Sequence, residues 1–85
     1  MRNAITGVNI DELTIPTGIY DLGYVNGNVL GTFPTTNSFY GVFIQFNGNF
    51  KVQMIIGTEI GVTINDIYVR RYVASTSSWT PWTKK

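Results

Sequence analysis

The chain is predicted to be all-β: a small antiparallel sheet of about five or six strands with one short helical turn near its N-terminus. Two β-rich runs, 40–46 and 50–56, are separated by Asn47-Gly48-Asn49, a triplet that accepts positive φ and closes a hairpin. Ile67-Tyr68-Val69-Arg70-Arg71-Tyr72 reads as a further strand. The connections between neighbouring runs are short, which makes adjacent strands antiparallel.

Taken in order, residues 9–13 read as the helical turn, with Asn9 as cap and Glu12 three positions on, where a capping-box acid reaches back. Pro16 and Gly18 end it and launch a strand at 19–22. Residues 24–38 hold Asn26-Gly27-Asn28 and Phe33-Pro34-Thr35, turn signals that predict the longest exposed loop. Alternation in the hairpin sets Phe50, Val52, Met54 and Ile56 against Lys51, Gln53 and Ile55, and Tyr40, Val42, Ile44 and Phe46 against Gly41, Phe43 and Gln45. The first set of each arm is the expected core face and the second the wet face, with Phe43 as an expected subunit contact. Val62 and Ile64 precede a turn at Asn65-Asp66, the strand 67–73 follows, and 74–78 is a polar loop. Residues 79–84 form a last edge strand, because Pro81 cannot donate to a central ladder. Trp79 and Trp82 are three apart and face opposite ways in a regular strand; a bulge or turn at Thr80-Pro81 is needed to bring them together.

Eighty-five residues make one domain, 1–85, in which 1–8 is read as an N-terminal linker or connection. With no cysteine and no histidine, neither disulfides nor a structural zinc can staple it. Only 13% of residues are charged, while eleven Thr and eight Asn supply much of the polarity. Small unstapled domains gain stability by oligomerising, and charge is depleted at the centre of interfaces. A net charge of +1 gives no footprint for nucleic acid, and no apolar run approaches the ~20 residues of a membrane span. Residues 1–7 lack the apolar core of a signal peptide, which leads to an expectation of synthesis in a cytoplasm.

Enzyme chemistry is poorly provided for. General acid–base work most often uses histidine, and no histidine activates Ser38, Ser75, Ser77 or Ser78. A carboxylate pair from Asp11, Glu12, Asp21, Glu59 and Asp66 is the remaining route, and acids beside glycine-rich turns are more often turn residues. Asn65 with Asp66 lacks the run of alternating ligands a calcium site uses, so no metal and no cofactor is expected. Saccharide recognition is better served. Apolar sugar faces stack on rings, while hydroxyls pair with amides and acids. Tyr24, Asn26, Asn28, Asn37 and Phe39 on the long loop, together with Trp79 and Trp82, are the tentative ligand-binding residues. Tyr68, Arg70 and Tyr72 alternate onto one face, where a guanidinium stacked on rings acts as a structural lock.

Leu13-Thr14, Pro16-Thr17-Gly18-Ile19-Tyr20, the aromatic hairpin 40–56, the 67–72 strand and the ending Trp79-Thr80-Pro81-Trp82-Thr83-Lys84 together cover about 9–84. In this order they resemble the C-terminal knob domain of bacteriophage tail fibres and phage-derived pyocin fibres. The chain departs from that pattern in the length of 57–65 and in having Asp66 where a glycine is expected. The resemblance implies a homotrimer joined to the rest of a virion fibre, exposed on the particle surface. It also implies receptor binding and host attachment through a cell-surface saccharide, with individually weak sites gaining avidity in multiple copies. A purely structural role, as a trimerisation or head-fibre decoration domain, is the alternative. A barrel binding single-stranded nucleic acid is a third reading, opposed by the lack of a basic groove.

Overall fold

Runs of β-branched and aromatic residues with short connections between them produce an antiparallel meander. In a computed structural model, which describes residues 9–25, 31–34, 39–59 and 66–85, six strands form one sheet. They are β1 (Gly18–Val25), β2 (Phe39–Asn47), β3 (Lys51–Glu59), β4 (Asp66–Val73), β5 (Ser78–Trp79) and β6 (Thr83–Lys84). The order is β1-β2-β3-β4, and β5 and β6 both pair with the far side of β4. All pairings are antiparallel. Val62, Ile64 and Asn65 lie outside the described residues.

The register places Tyr20, Phe43, Ile55 and Tyr68 in one cross-strand row and Gln45, Gln53 and Arg70 in the next. A bulge between Asp21 and Gly23 gives β1 an extra residue, and both Tyr20 and Leu22 are buried. Ile10, Ile15, Tyr20, Leu22, Phe43 and Ile55 form the core, with Phe33 and Trp82 packed against it. The lid over this face is therefore not a second sheet but irregular chain, residues 9–16 and 31–34. Tyr20 ties the lid to the sheet by donating its hydroxyl to the Pro16 carbonyl at 2.8 Å.

The expected faces are exchanged. Phe43, Ile55, Gln45 and Gln53 are inside, so Phe43 is a core residue and not a surface contact. Val42, Ile44, Val52, Met54 and Ile56 are only partly buried on the opposite face, and Phe46 and Phe50 are exposed. Alternation identifies which residues share a face but not which face the lid covers. Here the Ile10 carbonyl of the lid accepts from Gln53, and Gln53 and Asn47 satisfy Gln45, so the more polar face is the buried one.

Residues 9–13 form a turn and not a helix. Asn9 accepts the Glu12 amide on its carbonyl at 3.1 Å and the Asp11 amide on Oδ1 at 2.9 Å. No helix occurs among the described residues. Gly31 sits beside this turn with φ 110, a conformation open to glycine. A Cβ there would lie 2.7 Å from Asn9 Oδ1 and 2.8 Å from Ile10 Cγ1, so the lid's two pieces meet only because position 31 has no side chain.

Candidate functional site

Period-two alternation in β4 turns Tyr68, Arg70 and Tyr72 toward the covered face. Arg70 is 3% exposed and lies at the end of the Gln45–Gln53–Arg70 row. Its Nε donates to Gln53 Oε1 at 2.7 Å, and its Nη2 donates to Asp11 Oδ1 at 2.6 Å and to the Ile10 carbonyl at 3.3 Å. Gln53 Nε2 donates in turn to the Ile10 carbonyl at 2.6 Å and to Gln45 Oε1 at 2.9 Å. Gln45 Nε2 donates to Asn47 Oδ1, and Asn47 Nδ2 to the Ile15 carbonyl. A single polar chain thus stitches three strands to both ends of the 10–15 segment. No buried side-chain donor or acceptor among the described residues is left without a partner. That completeness is what makes a polar interior tolerable.

The charge pair is anchored on both sides. Burial alone raises the Asp11 carboxyl, but hydrogen bonds from Arg70 and Thr32 outweigh it and hold its pKa below the usual carboxylate range. The Thr32 amide and hydroxyl both donate to that carboxylate, at 3.0 to 3.2 Å. Burial pushes the Arg70 guanidinium down from its ordinary value, with Asp11 opposing.

Both tryptophans close on the same guanidinium. Arg70 Cζ lies 4.4 Å from the Trp79 ring centroid and 4.7 Å from that of Trp82. The break at Thr80-Pro81-Trp82 between β5 and β6 makes this geometry available. Thr80 bridges the break: its Oγ1 accepts the Arg71 amide at 3.0 Å and its own amide donates to the Arg71 carbonyl at 2.7 Å. Each indole N–H then bonds the lid, Trp79 to the Asp11 carbonyl at 3.0 Å and Trp82 to the Thr32 carbonyl at 2.8 Å. Tyr72 packs edge-on against Trp79 at 5.4 Å, and Tyr68 Oη donates to Asp66 Oδ2 at 3.4 Å.

The other tentative ligand-binding residues lie elsewhere. Tyr24 and Phe39 sit at the far end of the β1–β2 ladder, where Tyr24 pairs with Tyr40 and Val25 with Phe39. Asn26, Asn28 and Asn37 lie outside the described residues. Beside the clamp is a shallow cleft of about 440 Å³ bordered by Asp11, Thr32, Ser78 and Pro81.

A second cleft, of about 480 Å³, opens at the other end of the sheet between the β2–β3 hairpin tip and the 74–77 turn. Asn49, Phe50, Lys51, Arg71, Tyr72 and Ser75 line it. Phe50 is 60% exposed, and Arg71 Cζ lies 5.4 Å from its ring centroid. Sequence reading missed this group because its members come from the β2–β3 hairpin and from the end of β4 with the turn after it, about twenty residues further along the chain. The adjacent pair Arg70-Arg71 was the available signal, since neighbouring strand residues point to opposite faces. The chain matches no family model, no curated protein and no solved structure.

Proposed function

We propose that the domain is a non-enzymatic attachment module, a knob on a virion fibre that holds a host cell-surface saccharide in several copies at once, most simply three. The observation that carries this reading is the cleft at the hairpin tip. It offers an exposed ring in Phe50 and donors in Arg71, Lys51 and Asn49, with Tyr72 also on its border, on the hairpin tip and the adjoining ends of β3 and β4. A sugar ring needs that mixture: a flat apolar surface to stack on and a few placed polar groups to fix its orientation. No histidine or cysteine is present to suggest covalent or metal chemistry in its place.

A glycan array probed with the isolated domain tests this. Saccharide binding that falls at least tenfold in Phe50→Ala and Arg71→Ala supports the reading. An assembled, folded protein that retains no saccharide overturns it.

A second reading, a structural trimerisation or decoration domain, is favoured by the clamp. Arg70 occupies one face of both tryptophans, so the rings expected as sugar platforms serve instead to hold the lid.

A further inference from the structure

We infer that the cleft at the hairpin tip takes an acidic saccharide, one whose sugar ring carries a carboxylate or a phosphate. The inference rests on the attachment reading and names the class of sugar for the same cleft. Lys51 and Arg71 line it, and no acid does. Neither cation has a carboxylate within ion-pair distance among the described residues, whereas Arg70 meets Asp11 at 2.6 Å and Lys84 meets Asp66 at 3.5 Å. The fold thus neutralises the arginine next to Arg71 on β4 and leaves the cations of the cleft open.

The two charges approach the cleft from different sides of the sheet. Arg71 pairs with Val52 across β3 and β4, so it stands on the face away from the lid, and Lys51, one residue earlier on β3, stands on the covered side. Arg71 is exposed, and among the described residues its guanidinium makes no hydrogen bond; its contact is with the Phe50 ring, 5.4 Å from Cζ. The ring steadies the planar fork and leaves its N–H donors open, and such a fork matches a carboxylate or phosphate with two parallel bonds. Lys51 adds a compact charge, tied down only by a long bond of 3.5 Å to Asn47 Oδ1. The hydroxyls of a neutral sugar need donors and acceptors, which Asn49 and Ser75 supply on the same border, but not two unit charges. A long polyanion such as nucleic acid needs a basic stripe, and this chain carries a net charge of only +1. A single acidic group on a sugar ring is the anion that matches a ring beside two cations.

Calorimetric titration of the chain tests this with a uronic-acid oligosaccharide and the same oligosaccharide after its carboxyls are reduced to alcohols. A phosphate-bearing sugar oligomer and its dephosphorylated form make a second arm, which tells the two acids apart. At least one acidic form should bind roughly tenfold or more tighter than its neutral counterpart, a ratio that shrinks as salt rises. Arg71→Gln and Lys51→Gln should each cut the ratio by roughly threefold or more while the tryptophan fluorescence of the Arg70 clamp stays native. Equal binding of acidic and neutral forms overturns the inference and leaves the attachment reading standing, and so does a preference that survives both substitutions. Binding to vesicles of anionic lipid as tight as to the acidic saccharide would show a bare charged patch, and overturns it too. A folded protein that binds no saccharide of either kind removes both readings.

Discussion

Arg70 and Asp11, 59 positions apart in the chain, are joined by an N–H···O bond of 2.6 Å inside a pair whose side chains are 3% and 34% exposed. The pair does for the lid what a disulfide does in other small domains, fixing irregular chain onto a sheet. It does so with a fork of donors whose other branches reach Gln53 and the Ile10 carbonyl.

Removing the fork therefore acts on folding first. Arg70→Ala leaves Asp11, Gln53 and two indole faces without their shared partner, and should lower stability by about 3–5 kcal/mol, the usual cost of breaking a buried pair from one side. Urea unfolding followed by tryptophan fluorescence measures it. Arg70→Lys keeps the charge but not the planar fork, and should recover only part of the loss. An unchanged midpoint in Arg70→Ala would contradict the role given to the clamp.

Acid should loosen the lid. The Asp11 carboxyl titrates below its ordinary value of 3.8 in the folded chain, so the unfolded chain binds the proton more readily. The stability it contributes is therefore complete above that ordinary value and is lost as pH falls through the depressed folded pKa. Asp11→Asn should flatten the acid limb of the stability–pH curve while lowering stability at neutral pH. Equal acid sensitivity in both proteins would contradict the linkage.

Gln53→Leu should cost about 1–3 kcal/mol despite replacing a polar interior residue with an apolar one, because it strands the Arg70 Nε donor away from water. Paired with Gln45→Leu in a double-mutant cycle, the effects should be non-additive, since the two amides bond each other at 2.9 Å. Independent costs would show that the polar row is not one unit.

Gly31→Ala should destabilise by about 1–3 kcal/mol, the range for a residue forced to a φ it rarely adopts. The added methyl would also meet Asn9 and Ile10. Gly48→Ala is the contrasting control. The atoms nearest its Cβ would belong to the Phe46 ring, which is 55% exposed and able to swing outward. Similar thermal midpoints for both variants would contradict the close approach at Gly31.

The antiparallel sheet was legible because its signals are local. Asn47-Gly48-Asn49 marks the β2–β3 connection, and Pro81 marks the break that separates β5 from β6. The burial of Gln45, Gln53 and Arg70 was not legible, because each is made tolerable by a partner that only the folded chain supplies. The Ile10 carbonyl lies 43 positions from Gln53, and Thr32 lies 21 from Asp11. Without the lid in view, polar residues alternating with Val, Ile and Met read as a wet face. The same gap hid the open cleft, whose rings and cations come from the β2–β3 hairpin and the end of β4.

The clamp on Arg70 is tested most directly at the two indole N–H groups it holds in place, Trp79 on the Asp11 carbonyl and Trp82 on the Thr32 carbonyl. Followed by NMR, both indole protons should exchange slowly with solvent in the native chain, and Arg70→Lys should speed their exchange by roughly tenfold or more while the β2–β3 amides stay protected. Equal indole protection in both proteins would mean that the lid is held without the guanidinium fork.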